Sequence, residues 1–328
     1  MAERISPLKI IAYIVMLSAG AAMVISTFGN PADAQDQSDL PLEITNLMLT
    51  ETDPDCAAYV DCYASSVMDL QQRRNFTGHV LVTAGDAACQ LQSNGIPNHD
   101  FGDAERNFAT PAAEIDHDFS IPRSPRQAET ATALSHGRFD GILLNGVVLH
   151  ILSAGCYDPD GPRVDANGNV QAGCPADHPW LLDPMAENAP FAEDTHNGHT
   201  QPDGMYHYHG NPMALFDSAP GPDGSPVIGF AADGFPIYGS YFRDASGTVR
   251  QAVSGYELRD GDRPTGNGNP GGTYDGLYRA DYVYTGAGDL DECNGMTVDG
   301  QYAYYITDSF PWAMACLTGT PDPSFMRR

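Results

Sequence analysis

The stretch THNGHTQPDGMYHYHG, residues 195–210, holds four of the ten histidines of the chain, at positions 196, 199, 207 and 209. In an extended strand, successive side chains alternate between faces, so His207 and His209 project to one face and the neighbouring tyrosines to the other. The preceding run Gln-Pro-Asp-Gly, residues 201–204, is a turn sequence, because Pro fixes one backbone torsion and Gly permits a positive one. A turn at this place folds His196 and His199 back toward the pair, and the stretch therefore predicts a clustered histidine site.

Several blocks of the sequence resemble those of the YHYH-domain proteins. They are NGH ending at His199, YHYH at 206–209, IGFAADGFPIYG at 228–239, DECNGMTVDGQYAYYITDSFPW at 291–312, SNGIPNHDFG at 93–102 and NGVV at 145–148. The blocks occur in the order of the family and cover about residues 76–318. The resemblance implies a YHYH domain over this range, but it transfers no reaction to the chain.

The residues that match the NGH and YHYH strings, His199, His207 and His209, are the predicted metal ligands, and His196 is an additional candidate. Neutral imidazoles suit zinc, copper, nickel and iron, whereas calcium and magnesium prefer oxygen ligands. For an exported chain, we predict copper or zinc. Three ligands leave a fourth position, which holds water or substrate in a catalytic site and a protein side chain in a structural site.

The first 34 residues are predicted to be a secretory signal peptide. Arg4 and Lys9 precede the apolar run 10–25, and Ala-Asp-Ala at 32–34 supplies a small-x-small cleavage site. The apolar run is shorter than the roughly 20 residues that a spanning helix needs. We therefore expect an exported protein, periplasmic or extracellular, with no stable membrane insertion after cleavage.

The charge of the chain excludes several classes of function. The formal net charge is −27, and the only lysine, Lys9, lies in the predicted signal peptide. A mature chain without lysine has no Schiff-base lysine and no phosphate-loop lysine. Its acidic surface also disfavours nucleic acid, whose phosphates need cationic partners. The metal ion is thus the one partner that the sequence predicts, and protein partners are left open.

The cysteines predict disulfides, as is usual in exported proteins. Seven are present, at positions 56, 62, 89, 156, 174, 293 and 316, so at least one has no partner within the chain. Cys156 with Cys174 and Cys293 with Cys316 each enclose a turn-rich loop and are the predicted pairs. Cys56 and Cys62 lie in a segment predicted to be helical, where about 9 Å along the axis separates them, too far for a bridge. One of the two is predicted to pair with Cys89.

Residues 35–75 are predicted to form an amino-terminal arm with one short helix, ahead of a domain over 76–318 and a tail over 319–328. Asp53 or Asp55 caps the predicted helix, and four residues recur near helical spacing before it ends at Arg73 and Arg74: Tyr59, Cys62, Tyr63 and Leu70. Gly78 is the predicted turn residue ahead of the first strand of the domain. The domain is predicted to be mainly β, an antiparallel sandwich or barrel with long loops. Its strand candidates are 80–83, 139–149, 227–230, 237–241, 278–284 and 302–306.

Two further residues are candidates for catalysis. His99 follows a Pro in SNGIPNHDFG, and Asp233 precedes Gly-Phe-Pro in ADGFPIYG, so both lie in turns that can present a side chain to a site. Either residue can supply a fourth ligand, a partner to a ligand, or a general base. The alternative for Asp233 is a local hydrogen bond within its turn.

Three functions follow from the sequence. The first is an exported metal-handling protein or structural metal module that uses the histidine cluster. The second is a metalloenzyme, a copper oxidoreductase or a zinc hydrolase, in which the same histidines leave a ligand position open beside Asp233 or His99. The third is a metal-free module for surface interactions, in which the histidines have a structural role.

Overall fold

The computed structural model describes residues 40–327, so the predicted signal peptide lies outside the described residues. Three short 3₁₀ helices span Cys56–Tyr59, Arg279–Asp281 and Pro323–Phe325. The strands of the described chain are β1 (Leu42–Glu43), β2 (Asp61–Asp69), β3 (Arg74–Ala84), β4 (Ala88–Ser93), β5 (His117–Pro122), β6 (Gln127–Ala133), β7 (Gly141–Leu143), β8 (Val148–Leu149), β9 (Cys156–Tyr157), β10 (Asn169–Val170), β11 (Gly198–Thr200), β12 (Tyr206–Tyr208), β13 (Val227–Ala231), β14 (Pro236–Tyr238), β15 (Tyr241–Arg243), β16 (Val249–Gln251), β17 (Tyr256–Leu258), β18 (Thr265–Gly266), β19 (Asn269–Pro270), β20 (Tyr282–Tyr284), β21 (Gly295–Val298), β22 (Gln301–Tyr305) and β23 (Cys316–Gly319).

The first sheet contains the strands β1 to β5 in chain order, and all neighbours are antiparallel except β1 and β2. In β3, buried and exposed residues alternate, with Phe76, Val80 and Val82 buried. This period of two buries one face of the sheet and exposes the other to solvent.

The second sheet carries the histidine hairpin at one edge. Its order is β11-β12-β8-β7-β13-β14-β22-β21, and it is mixed, because β12 pairs with β8 and β14 with β22 in parallel. Every residue of the central strand β13 is buried. Sequence analysis predicted antiparallel strands, and most neighbouring pairs in this sheet are antiparallel.

One hydrophobic core contains residues of both sheets. The turn between β7 and β8 packs against the first sheet, where the Ser93 hydroxyl donates a hydrogen bond of 2.7 Å to the Gly146 carbonyl. Gly146 has a φ of +86°, and a Cβ there would lie 2.7 Å from Val80. Only glycine fits this contact.

The predicted amino-terminal helix is wrong. The Asp55 carboxylate does accept a hydrogen bond from the amide of Ala57, but it caps only the 3₁₀ helix Cys56–Tyr59. The segment that follows forms β2, which pairs with β3 over nine residues. The near-helical spacing of the residues in this segment, about 3.6 residues, was coincidental. Hydrogen bonding to the long neighbouring strand decided the conformation of the segment. The predicted boundary between arm and domain, at residues 75 and 76, falls within β3.

Gly78 is not a turn residue, and this prediction is also wrong. It lies within β3 opposite Ser65, and a Cβ at this position would lie 2.8 Å from the carbonyl of Ile96. The glycine therefore permits close approach of a neighbouring segment. Neither large sheet closes into a barrel over residues 40–327.

The predicted disulfides are confirmed. Cys156 pairs with Cys174, Cys293 pairs with Cys316, and Cys89 pairs with Cys56. Cys62 is a free, exposed thiol. Within residues 40–327, no helix is long and apolar enough to cross a membrane.

Candidate metal centre

The hairpin of β11 and β12 places two histidines side by side. The register sets His199 opposite His207, so both side chains project from the same face. The predicted turn forms as expected, with the amide of Gln201 donating to the carbonyl of Met205 and Gly204 at a φ of +89°. A side chain at Gly204 would require this unfavourable backbone conformation.

His209 joins the pair from the end of β12. Its amide donates to the carbonyl of Asn197 at 2.9 Å, which extends the hairpin by one step. The loop before β11 is organised by the buried Asp194 carboxylate, which accepts hydrogen bonds from the amides of His196 and Gly198. These contacts fix the strand that carries His199.

The three side chains converge through their Nε2 atoms. Nε2 of His209 lies 3.1 Å from Nε2 of His207 and 3.2 Å from Nε2 of His199. Zinc binds imidazole at about 2.0–2.1 Å, so two nitrogen ligands of a tetrahedral site lie ~3.3 Å apart. Both spacings therefore match the separation of two nitrogen ligands around one ion, and the third histidine nitrogen lies within 4.8 Å of the others.

The second nitrogen of two rings faces a backbone carbonyl. Nδ1 of His209 lies 3.3 Å from the carbonyl of Ile151, and Nδ1 of His207 lies 3.5 Å from that of Met205. A carbonyl only accepts, so Nδ1 carries the proton in the neutral ring and Nε2 presents its lone pair. A carbonyl partner of this kind fixes the tautomer of metal-binding histidines.

Burial keeps these imidazoles neutral. It lowers the pKa of His199 to about 4. Burial, followed by the mutual repulsion of the rings, holds the pKa of His207 and of His209 well below the usual value. At neutral pH each ring therefore carries one proton, and the Nε2 atoms of His207 and His209, whose Nδ1 atoms face carbonyls, can bind a metal cation.

The opposite face of β12 is a satisfied hydrogen-bond network. The buried Tyr206 hydroxyl donates to the Asp194 carboxylate at 2.9 Å. Nδ1 of His99 faces the carbonyl of Asp100, so its Nε2 accepts from the Tyr208 hydroxyl at 2.6 Å. Asn145 donates to the same hydroxyl at 2.9 Å. These tyrosines are packing and hydrogen-bonding residues, as their alternation in the strand predicted.

The structure therefore brings together three of the four predicted ligands. His196 lies outside the cluster, with its ring 3.6 Å from that of His99 and its Nδ1 donating to the carbonyl of Pro212. His99, a predicted catalytic candidate, lies with it on the tyrosine side of β12 because its partner is Tyr208. Neither residue joins the group of His199, His207 and His209.

Asp233, the second catalytic candidate, lies in the turn between β13 and β14. Its carboxylate accepts hydrogen bonds from the Tyr304 hydroxyl at 2.7 Å and from the amide of Gly319 at 2.8 Å. Both partners are distant in sequence, so the carboxylate ties its turn to two other segments and does not form only the local hydrogen bond considered as the alternative. Asp233 is not part of the three-histidine group.

Two residues beside the cluster were missed by sequence reasoning. The ring of His150 lies 5.8 Å from that of His207, and the backbone amide of His150 donates to the carbonyl of Tyr208. Asp140 accepts from the amide of Ile151, whose carbonyl faces His209. Each of the two has a buried side-chain atom without a hydrogen-bond partner in the described chain, His150 Nε2 and Asp140 Oδ1. No local motif marks them, because the fold collects them from separate segments.

The described residues thus form a group of three nitrogen ligands that could hold one metal ion. Three protein ligands are the usual number where the fourth position binds water or substrate. No curated protein and no solved structure matches the chain. The family described as YHYH protein matches residues 118–319, which is more than half of the 328 residues. The chain is therefore a member of the YHYH protein family.

Proposed function

We propose that this protein binds one transition-metal ion, copper or zinc, through Nε2 of His199, His207 and His209. The observation that carries the proposal is the convergence of three Nε2 atoms at 3.1 and 3.2 Å. Unpartnered lone pairs of buried neutral imidazoles repel at this distance, and a cation removes the repulsion. The third function, a metal-free interaction module, gives no reason for this arrangement.

The proposed location is outside the cytoplasm. Three disulfides close loops of the described chain, which fits an oxidising compartment. Metal handling or a structural metal module is the first proposed role in that compartment. Both roles require only that the hairpin hold the ion.

A metalloenzyme, a copper oxidoreductase or a zinc hydrolase, is the second candidate. Two observations favour it. The group contains three protein ligands, as catalytic zinc sites do. In addition, the buried side chains of His150 and Asp140 each leave a polar atom unpartnered near the cluster. Unpaired buried polar groups are common at catalytic sites.

Elemental analysis by mass spectrometry tests the proposal. The mature protein is purified from its native compartment without an affinity tag, and we expect about one equivalent of copper or zinc, as one three-histidine site requires. If neither metal is present at stoichiometric amounts, even after each ion has been added back, the histidines are structural and the proposal is overturned.

A further inference from the structure

A cavity of about 350 Å³ lies beside strands β14 and β15 and shares no residue with the candidate metal centre. Its volume is in the range of small-molecule sites, which combine aromatic walls with a few polar groups. Two carboxylates line it, those of Asp223 and Asp299. Its aromatic lining consists of four residues: Tyr238, Tyr241, Phe242 and Tyr305.

Three of the aromatic residues are held in place by other parts of the chain. Tyr238 and Tyr305 lie opposite each other in the parallel pair of β14 and β22, with their ring centroids 5.5 Å apart and their planes within 17°. The ring of Phe242 lies 6.1 Å from that of Tyr305. The Tyr238 hydroxyl donates to the carbonyl of Thr52 at 2.8 Å. These contacts need no ligand, so this wall of the cavity is preformed.

Tyr241 differs from the other three aromatic residues. Its backbone is fixed, because its amide donates to the Ser225 hydroxyl at 3.0 Å and its carbonyl accepts from the Ser225 amide at 2.9 Å. Its side chain is half-buried. Among residues 40–327, its ring contacts no other aromatic ring and its hydroxyl has no hydrogen-bond partner. An anchored residue whose ring has no packing partner of this kind is suited to contact a ligand.

The charges of the cavity favour a cation. Of the described residues, Arg243 is the only cationic one in the lining, and it already forms an ion pair of 2.8 Å with Asp223. No hydrogen bond or ion pair within the described chain involves the Asp299 carboxylate. Two carboxylates and one guanidinium leave one negative charge uncompensated. An anionic ligand would be repelled by this charge, and a cationic ligand would balance it.

A tight turn holds Asp299 at the cavity. Residues 298–301 join β21 to β22, with Val298 paired to Gln301. The φ angles are +50° at Asp299 and +82° at Gly300. Positive φ at both central residues defines the two-residue hairpin turn for which Asp-Gly is a preferred sequence. The backbone of the turn thus sets the position of Asp299, and its carboxylate is left available for a ligand.

We propose that this cavity binds a small organic cation, an alkylated ammonium group, with Asp299 as its counter-ion and the ring of Tyr241 as an aromatic contact. Aromatic faces attract cations, and quaternary ammonium ligands are recognised in this way. The same aromatic cluster already binds one cation of the chain, because Cζ of Arg250 lies 4.6 Å from the ring centroid of Phe242. A neutral sugar would also stack on tyrosine, but it would leave the charge of Asp299 unbalanced. The net charge of −27 further concentrates cations near the protein.

Calorimetric titration of the mature protein tests the inference. The probes are choline, tetramethylammonium and the neutral carbon isostere of choline, in which a carbon atom replaces the nitrogen. We expect saturable binding of at least one of the two cations. The isostere has the shape of choline without its charge, so we expect its affinity to be lower than that of choline by about 10-fold or more.

Two pairs of variants locate the site. Tyr241→Leu loses the ring, and we expect cation affinity to fall by about 10-fold, whereas Tyr241→Phe keeps the ring and stays within about twofold of wild type. Asp299→Asn removes the counter-ion, and we expect a fall of about two- to fivefold, the usual effect of one exposed charge. Asparagine tolerates a positive φ, so the turn is kept. Its control, Asp260→Asn, removes an exposed carboxylate outside the cavity and leaves affinity unchanged.

Three results would overturn the inference. The first is an absence of saturable binding for both cations. The second is equal affinity for choline and its isostere, which would mean that the charge is not recognised. The third is unchanged cation affinity in both Tyr241→Leu and Asp299→Asn, with folding verified by circular dichroism, which would place the binding elsewhere. None of these results depends on metal content, so this inference and the proposed metal site can fail independently.

Discussion

The two faces of strand β12 are equally buried but differ in how their polar atoms are satisfied. On one face, the hydroxyls of Tyr206 and Tyr208 have partners, Asp194 for the first and His99 with Asn145 for the second. On the other face, Nε2 of His207 and Nε2 of His209 point at each other at 3.1 Å. The tyrosine hydroxyls thus have partners from other segments, whereas the buried Nε2 atoms of the histidine face have only one another, and this is the face proposed to bind a metal ion.

Along β12, the side chains that stabilise the fold and the side chains proposed to bind the metal therefore lie on opposite faces of the same short segment. The tyrosine face holds the hairpin against the segment that carries His99, and its hydrogen bonds stabilise the fold. The histidine face brings together buried nitrogen atoms whose lone pairs repel, and the proposed cation would relieve this repulsion. Alternation along a strand is what allows one short segment to carry both roles.

The largest expected effect is on the histidine face. Replacing His207 and His209 together with Ala removes two of three ligands, and we expect metal affinity to fall by more than about 100-fold, which exceeds the usual effect of removing a hydrogen-bond partner of a ligand. Metal content by elemental analysis, with circular dichroism to verify folding, measures it. A folded double variant that keeps its full equivalent of metal contradicts the assignment of this face.

The second effect is on the tyrosine face. Tyr208→Phe leaves Nε2 of His99 and the amide of Asn145 without their shared partner, so we expect the free energy of unfolding to fall by about 1–3 kcal/mol. Denaturant unfolding measures the change. Metal content stays at one equivalent in this variant, which also serves as the matched control for the histidine variant. If this variant folds but loses its metal, the tyrosine face also contributes to metal binding, and the two faces do not have separate roles.

The smallest expected effect concerns pH. Three imidazoles of ordinary pKa would lose about 1,000-fold in metal affinity between pH 7.5 and 5.5, because protons compete for each ring. Burial lowers the pKa of His199 to about 4, and that of His207 and His209 also lies well below the usual value. Protonation therefore starts only below this range, and we expect affinity to change by less than about threefold across it.

Competition with a chelator of known affinity at pH 7.5 and at pH 5.5 measures this change. A drop of about 1,000-fold would mean that the metal-free rings titrate like exposed imidazoles. The histidine face would then be open to water and would not resemble the buried tyrosine face.

Local patterns predicted the parts of the molecule that depend on neighbours in sequence. The Pro-Asp-Gly turn predicted the hairpin, and the alternation after it predicted that His207 and His209 share one face. The turn also places His199 next to these two histidines, as predicted. Cysteines 18 and 23 residues apart formed the predicted bridges. The strand predicted over 139–149 became two short strands, β7 and β8, separated by the turn at Gly146.

Patterns failed where pairing with a distant strand decided the conformation. Tyr59, Cys62, Tyr63 and Leu70 are near helical spacing, yet hydrogen bonds to β3 make most of this segment a strand. Val67 of β2 contributes to a core built from both sheets, which no local stretch of sequence contains. Propensity is a weak signal against such tertiary contacts.

By itself, the sequence determined the hairpin, its histidine face and the family, because turn chemistry and strand alternation act over a few residues. Only the tertiary structure decided which groups surround that face. It placed His99 and His196 on the tyrosine side, and it brought His150 toward the cluster from another segment of the chain. The physical reason is that these positions depend on strand order and core packing, which join residues separated by up to about a hundred positions in sequence.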